Sequence, residues 1–388
     1  MKQEVDSLDA IPSKRLFLSI IADYDLNRSI CELVDNGLDV WVRSGRKQQI
    51  SVDIILDDVQ QTITVEDNAG GLPRSELRYI VGPGQTGTIP SDETIGIFGV
   101  GTKRAVVALA RDIKIKTRYP KEKTYQVDID EDWLADEYDW NLPFYEVNDI
   151  PEGKTIVELR GLRVHIADEA IAHLKDHLRA TYGKFLSKKG VMVKVNGDPL
   201  KPQFFENWAY PPKYPPHRYK GLLSTPEHGT VRVEVVAGLA LESSPATGEY
   251  GVYFYCNDRL VARGLKTFDV GFTKGLAGLP HPKVSLTRVL VFLNGDARAM
   301  PWNSSKSDIS TKHPVFLALH DWLVEVVKEY AALLVFGWEI GPTKCLSTIP
   351  GRLKKSRSLI SRLQQSRTFR GRHGLDQDTM RRSPTRIG

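Results

Sequence analysis

Residues 32–36 read ELVDN, and the run continues through Gly37 and Leu38 to Asp39. Three carboxylates and a carboxamide therefore interrupt an otherwise apolar segment. Around them Leu26, Ile30, Leu33, Val34, Leu38 and Trp41 recur at helical spacing, which predicts an amphipathic helix over residues 26–43. Glu32, Asp35, Asn36 and Asp39 stand at i, i+3, i+4 and i+7, so they share the face opposite the apolar set. Two readings of that face are open. Arg28 lies four residues before Glu32 and Arg43 four after Asp39, a spacing that suits surface ion pairs on a solvated helix. The other reading is that the polar groups are kept for chemistry. Gly37 predicts a close approach to the helix backbone, because a glycine inside a helix costs roughly 1 kcal/mol relative to alanine.

Working outward, Ile50, Val52, Ile54 and Leu56 alternate, Asp57 and Asp58 supply a turn, and Ile63 and Val65 alternate again, which predicts a β-hairpin. Its second strand runs into EDNAGGLP, residues 66–73. Asp67 there reads either as a turn-making Asx residue or as a buried acceptor for an exocyclic amine, with Gly71 letting a purine lie against the backbone. Residues 82–96 have four glycines and no periodicity, and a loop of that length suggests a functional lid. It ends in GIFGVGTK, residues 96–103, before a helix. That stretch nearly matches a P-loop, but Thr102 precedes Lys103 and no strand leads into it. Glycines before a helix start still leave backbone N–H groups free for phosphate oxygens at the positive end of the helix dipole.

Strands are expected around 112–119, 124–129 and 155–160, the last opening with Thr155 in GKTIVEL. Helix returns around 165–189, followed by a strand at 191–195 and a Pro-rich connection. Further strands are expected at 229–238, 250–257 and 284–293, then a long apolar helix at 313–335. The pattern is α/β, with a domain boundary near residue 165.

The chain has 388 residues, 41% hydrophobic and 26% charged, enough for two ordinary domains. No apolar run reaches the roughly 20 residues needed to cross a bilayer and the N-terminus is acidic, so a cytoplasmic protein without membrane association is expected. Cys31, Cys256 and Cys345 lack CxxC spacing, which supports neither a disulfide framework nor a zinc knuckle. The net charge of +5 is unevenly spread: residues 341–388 hold 12 of the 53 Lys and Arg but 2 of the 48 Asp and Glu, leaving 41 basic against 46 acidic residues before them. A basic, aromatic-poor tail of this kind is expected to be flexible and can bind nucleic acid through counterion release.

The order of these features carries more than any one of them. A helix with E-x-x-x-N, a strand ending in D-N-x-x-G, a lid, a Gly-rich helix start and a Thr-bearing strand follow one another within the first 160 residues. In this the chain resembles the GHKL ATPases, the superfamily of gyrase B, MutL, the large heat-shock chaperones, histidine kinases and the MORC proteins, and ELVDNGLD is similar to the MutL and MORC form of the first motif. The resemblance implies a Bergerat-type α/β sandwich in residues 1–165 with the lid around 82–96, a transducer-like α/β domain in 166–340 and a basic tail in 341–388. It implies ATP and Mg²⁺ as ligands. Glu32 would be the general base, Asn36 the Mg²⁺ ligand, Asp67 the acceptor of the adenine amine beside Gly71, and Thr155 its water-mediated support. Gly99, Val100, Gly101, Thr102 and Lys103 would hold the phosphates. Lys306, in PWNSSKSDI, would be the lysine that reaches the γ-phosphate, with Lys312 as the alternative. GVYFYCNDRLVARGL looks like the MORC-type strand and turn that follow the nucleotide domain.

One departure stands out: the second motif of the family reads D-x-G-x-G, and Ala69 fills its first glycine position, so the turn must avoid a left-handed conformation there. The implied activity is a slow ATPase whose output is conformational, working as an ATP-dependent homodimer on DNA or with a protein partner that supplies an effector activity. A non-enzymatic nucleotide-gated scaffold or chaperone-like module is the alternative. A histidine kinase fits less well, since Glu32 stands where those enzymes carry Asn.

Overall fold

The structure is a computed structural model that describes residues 13–15, 24–46, 48–80, 94–95, 101–209, 216–241, 248–274, 276 and 285–338, with the backbone alone at 101–103 and 333–338. Most of the expected lid, Gly99, Val100 and the tail 341–388 lie outside these residues. Two compact units are present. The first takes the chain as far as Lys201, apart from residues 94–95 and 180–185, which belong to the second. It thus extends well past residue 165, where the sequence pattern suggested a boundary.

The first unit is built on an eight-stranded sheet. Its elements are helix α1 (Leu26–Arg43), β1 (Ile50–Asp57), β2 (Thr62–Asp67), a 3-10 turn (Arg74–Ile80), α2 (Gly101–Leu109), β3 (Ala110–Arg118), β4 (Thr124–Ile129), β5 (Phe144–Val147), β6 (Thr155–Leu162), α3 (Asp168–Thr181), β7 (Val191–Val195) and β8 (Asp198–Pro199). The strand order is β5-β4-β3-β6-β2-β1-β7-β8. All neighbours are antiparallel except β1 and β7. That parallel pairing, Ile50 with Val191 through Ile54 with Val195, draws the chain beyond 165 into the first sheet.

Register explains how one face becomes a core. Val195, Ile54, Val65, Val157, Ile115 and Val127 fall in one row across six strands, and Leu56, Ile63, Leu159, Ile113 and Ile129 in the next. These side chains are buried. The opposite face carries cross-strand ion pairs instead, Lys194–Asp53 at 3.0 Å, Lys154–Glu66 at 3.0 Å and Lys116–Glu158 at 2.8 Å. An antiparallel sheet covered on one side and wetted on the other gives this alternation. Helices α1 and α2 pack on each other, α1 also against β1 and α2 against β3 and β6, so both lie on the aliphatic face.

The second unit holds a five-stranded sheet ordered β12-β11-β13-β10-β9, from β9 (His217–Thr225), β10 (Gly229–Leu239), β11 (Gly251–Cys256), β12 (Arg259–Leu265) and β13 (Thr287–Asn294). Every residue of β11 is buried. Tyr253 and Tyr255 join Phe205, Leu290 and Phe292 on one side, while Phe254 meets Phe316 of helix α4 (Pro314–Trp338) on the other, with ring centroids 5.9 Å apart. Asn257 and Asp258, with φ of 48° and 67°, make the two-residue turn into β12. Asn257 also donates to the carbonyls of Thr94 and Gly295, both at 3.0 Å, and so holds residues 94–95 in this unit. Cys31 and Cys256 are buried free thiols, and no helix among the described residues is long and apolar enough to cross a membrane.

Candidate functional site

Helix α1 begins where Asp25 caps it, accepting from the Arg28 amide at 2.8 Å. It ends at Ser44, whose hydroxyl donates to the Trp41 carbonyl at 2.7 Å. Trp41 in turn donates from Nε1 to the Gln48 carbonyl at 2.7 Å, which ties the helix to the chain entering β1. Between these ends the acidic stripe is not solvated. Glu32, Asp35 and Asp39 are 2%, 1% and 3% exposed, and Asn36 is half-buried. This face is therefore not a solvated one. Arg28 pairs with the cap residue Asp25 at 3.7 Å, and Arg43 is exposed. Carboxylates are almost never fully buried without a specific reason, because burial penalises their charge.

The sheet beneath α1 changes character along the same face. Beyond the two aliphatic rows, the next row runs Val193, Val52, Asp67, Thr155, Thr117 across β7, β1, β2, β6 and β3. Asp67 is directly opposite Thr155, and Thr155 directly opposite Thr117, with 3.1 Å between the two hydroxyls. Residues opposed in an antiparallel pair project on the same side, so the structure gathers three polar side chains at one end of the core. Gly37 stands over this row. A methyl group built on it would lie 3.5 Å from Asp67 Cβ and 3.6 Å from Val52 Cγ2, ordinary contact distances. Asp67 is thus the neighbour of Gly37, but a side chain would fit there, so the approach is not one that requires glycine.

Asp67 also makes the Asx turn that its setting in DNAGG suggests, accepting from the Ala69 amide at 2.9 Å. Burial pushes its carboxyl up to about 6, against the lowering effect of that amide bond. The positive φ angles of the turn fall on Gly70 (143°) and Gly71 (68°). Ala69 is buried and carries none, so alanine fits the position where the family has glycine. Gly71 has a demand of its own: a Cβ there would sit 2.2 Å from the Arg118 carbonyl oxygen. The space beside it is filled by β3 backbone, which accounts for the glycine without a purine. Hydrogen bonds then stitch DNAGG to GKT and to the end of β3. Gly70 N donates to Gly153 O at 2.9 Å, Gly153 N to Arg118 O at 2.8 Å, and Leu72 N to Thr117 Oγ1 at 2.8 Å.

Thr117 and Arg118 had no place in the sequence reading. The signal for Thr117 was present, since β3 alternates Ile113, Ile115 and then Thr117, as β2 runs Ile63, Val65, Asp67 and β6 runs Leu159, Val157, Thr155 toward the same end. Arg118 braces the corner, donating from its guanidinium to the carbonyls of Glu122 (3.1 Å) and Ile150 (2.8 Å).

Of the expected phosphate-binding residues, Gly101, Thr102 and Lys103 form the first turn of α2, beside α1. Lys306 lies in the second unit. It is not the exposed loop lysine that its Ser-rich surroundings suggest: it is 3% exposed with φ 50°, and its carbonyl accepts from Arg259. Lys312 is the exposed one. Among the described residues no group of three His, Cys, Asp or Glu could hold a metal ion by itself.

A helix with buried acids, laid over a sheet row ending in Asp and Thr and followed by a Gly-rich helix start, defines a nucleotide-binding α/β sandwich. Residues 24–156, about a third of the chain, match the family described as "Histidine kinase-, DNA gyrase B-, and HSP90-like ATPase". Over these residues the chain is similar to the GHKL ATPases, and its mixed α/β architecture is consistent with the α/β sandwich of that superfamily. Its similarity reaches the MORC-like proteins. It is 34% identical over 92 residues to Protein MICRORCHIDIA 4 of Arabidopsis thaliana, a match covering 23% of this chain and 11% of that protein.

Two outcomes are expected of the site as a structure. Gly71→Ala should destabilise the first unit severely, since its methyl group collides with backbone, whereas Gly37→Ala should be neutral or gain up to about 1 kcal/mol from helix propensity; denaturant unfolding of the two variants checks the contrast. For Asp67, a folded-state pKa raised above the unfolded value means that stability is lost as pH rises through about 6. Asp67→Asn should therefore stabilise the protein at pH 7.5 by on the order of 2 kcal/mol, and by much less at pH 4. Equal gains at both pH values would show that the charge is not what burial penalises.

Proposed function

We propose that this chain binds an adenine nucleotide in its first unit and hydrolyses ATP slowly, as a nucleotide-gated conformational switch. The observation that carries the reading is the polar row of Asp67, Thr155 and Thr117 lying under Gly37 of a helix whose Glu32 is buried. Above pH 6 the Asp67 carboxylate is ionised and suited to accept an exocyclic amine, with Oδ1 already oriented by the Ala69 amide. The Thr155 hydroxyl, next to it, serves the ring through water. Gly71 keeps the turn tight against Arg118 and so shapes the pocket edge.

Glu32 precedes Gly37 by five residues, about 7.5 Å along a helix axis. That displacement leads from the base toward the phosphates, where Glu32 takes the proton of the attacking water. Asn36, one helical turn after Glu32, is the proposed Mg²⁺ ligand. Mg²⁺ usually takes one or two protein oxygens and completes its shell with phosphates and water. A single amide oxygen fits a metal that arrives with the nucleotide. When bound, the metal neutralises charge on the β- and γ-phosphates. Gly99, Val100, Gly101, Thr102 and Lys103 would cradle those phosphates at the start of α2.

We assign the first unit as the ATP-binding domain and the second as transducer-like, with Lys306, or else Lys312, meeting the γ-phosphate. Support for DNA as a partner is the charge of residues 341–388, and support for a homodimer is the family. A nucleotide-gated scaffold without turnover is the alternative use of the same pocket.

Hydrolysis separates the readings. Glu32→Ala should retain ATP binding while losing hydrolysis by about a hundredfold or more, measured as phosphate release beside equilibrium binding of a labelled analogue. Wild-type turnover in that variant would remove Glu32 as the base. Absence of turnover in the wild type with binding intact would leave the scaffold. Sizing the protein with and without a non-hydrolysable analogue, and DNA retention with and without residues 342–388, tests the dimer and the tail.

A further inference from the structure

Residues 130–141 read DEDWLADEYDWN, an acidic loop with two tryptophans that the nucleotide site does not use. It is shaped by its own hydrogen bonds. Asp130 caps a single helical turn (Glu131–Ala135), accepting from the Trp133 amide at 2.8 Å. Asp136 accepts from the amides of Tyr138 (3.1 Å) and Asp139 (3.0 Å), and Trp133 Nε1 donates across the loop to the Asn141 carbonyl at 2.9 Å. These bonds leave Trp133 and Trp140 edge to face, 6.0 Å apart at 79°.

Over the ring of Trp133 sits the side chain of Lys14. Its ammonium lies 3.8 Å from the centroid of Trp133 and 6.0 Å from that of Trp140, and it donates to the Trp133 carbonyl. Lys14 is fully buried at 0% exposure. Burial lowers the pKa of its ammonium, while Asp136 and Asp139 act in the opposite direction. The rest of the arm touches one residue of the same loop: Lys14 N donates to the Glu137 carbonyl at 2.7 Å, Ser13 Oγ to its carboxylate at 3.3 Å, and Arg15 pairs with that carboxylate.

A buried lysine demands compensation, and here the π face of Trp133, a carbonyl and a carboxylate field supply it. The bonds from Asp130, Asp136 and Trp133 described above are made within the loop itself. A site held by its own turns persists when its ligand leaves, which lowers the cost of binding. We propose that residues 130–141 form a preformed ammonium-binding seat for a Ser-Lys-Arg segment, and that Lys14 of the chain's own N-terminal arm is its resident and displaceable ligand. The ligand class is an alkylammonium followed by a guanidinium, with the lysine over the Trp133 ring and the arginine on Glu137. The resident arm is at high effective concentration because it is tethered, so another lysine-bearing segment reaches the seat by displacing it. The proposal is independent of nucleotide binding.

The test opens the seat in the full-length protein with Lys14→Ala and titrates a synthetic peptide of residues 11–17, IPSKRLF, while following tryptophan emission. A saturable change is expected. The peptide with alanine in place of lysine should bind about tenfold or more weakly, and adding Trp133→Ala to the protein should abolish the response. The wild type, with its arm in place, should respond at much higher peptide concentrations than Lys14→Ala. Lys14→Gln, which keeps the packed stem, replaces Lys14→Ala should the latter fail to fold. No response in the opened seat at millimolar peptide, or equal binding of the lysine and alanine peptides, overturns the proposal and leaves Lys14 as a packed side chain.

Discussion

The first unit depends on one costly arrangement, a helix that buries its charged face. Nothing in helix physics requires Glu32, Asp35 and Asp39 to be shielded, and aliphatic residues at those positions would pack at lower cost. The cost is offset by what surrounds it: two continuous aliphatic rows across the sheet and a second helix alongside α1. The same end of the core holds Asp67, whose carboxyl is pushed up to about 6 by the same desolvation. Poor local economy of this kind, concentrated in one place on a well-packed scaffold, is how sites differ from cores.

Much of this could be read from the residues alone. The limits of α1 were legible because its apolar period persists over five turns. The hairpin and strands β3, β4 and β6 were legible from alternation, and Asp67 and Thr155 from the order of motifs. Strand β5 was not, because its residues are mostly exposed and lack an apolar face. Nor was the extension of the first unit to Lys201. It rests on the pairing of β7 with β1, and a parallel partner about 140 residues away leaves no local pattern in either strand.

The acidic face of α1 shows where spacing alone misleads. Charges four residues apart suit surface ion pairs on any helix, so Arg28 and Arg43 made a solvated face plausible. Exposure is decided by what packs from outside the helix, and periodicity says nothing about that. Gly71 shows the opposite error. A glycine in a nucleotide motif invites a ligand-based explanation, yet the Arg118 carbonyl already occupies the position its side chain would need. Thr117 went unremarked for a third reason: it matters through its neighbour across the sheet, and register is a property of strand pairs.

Chain connectivity joins the two units closely at one point. Residues 94–95 fold with the second unit, where Asn257 grips the Thr94 carbonyl, and Gly101, six residues after Ile95, begins α2 in the first. The stretch proposed to hold phosphates is therefore tethered directly to a peptide that the second unit holds in place.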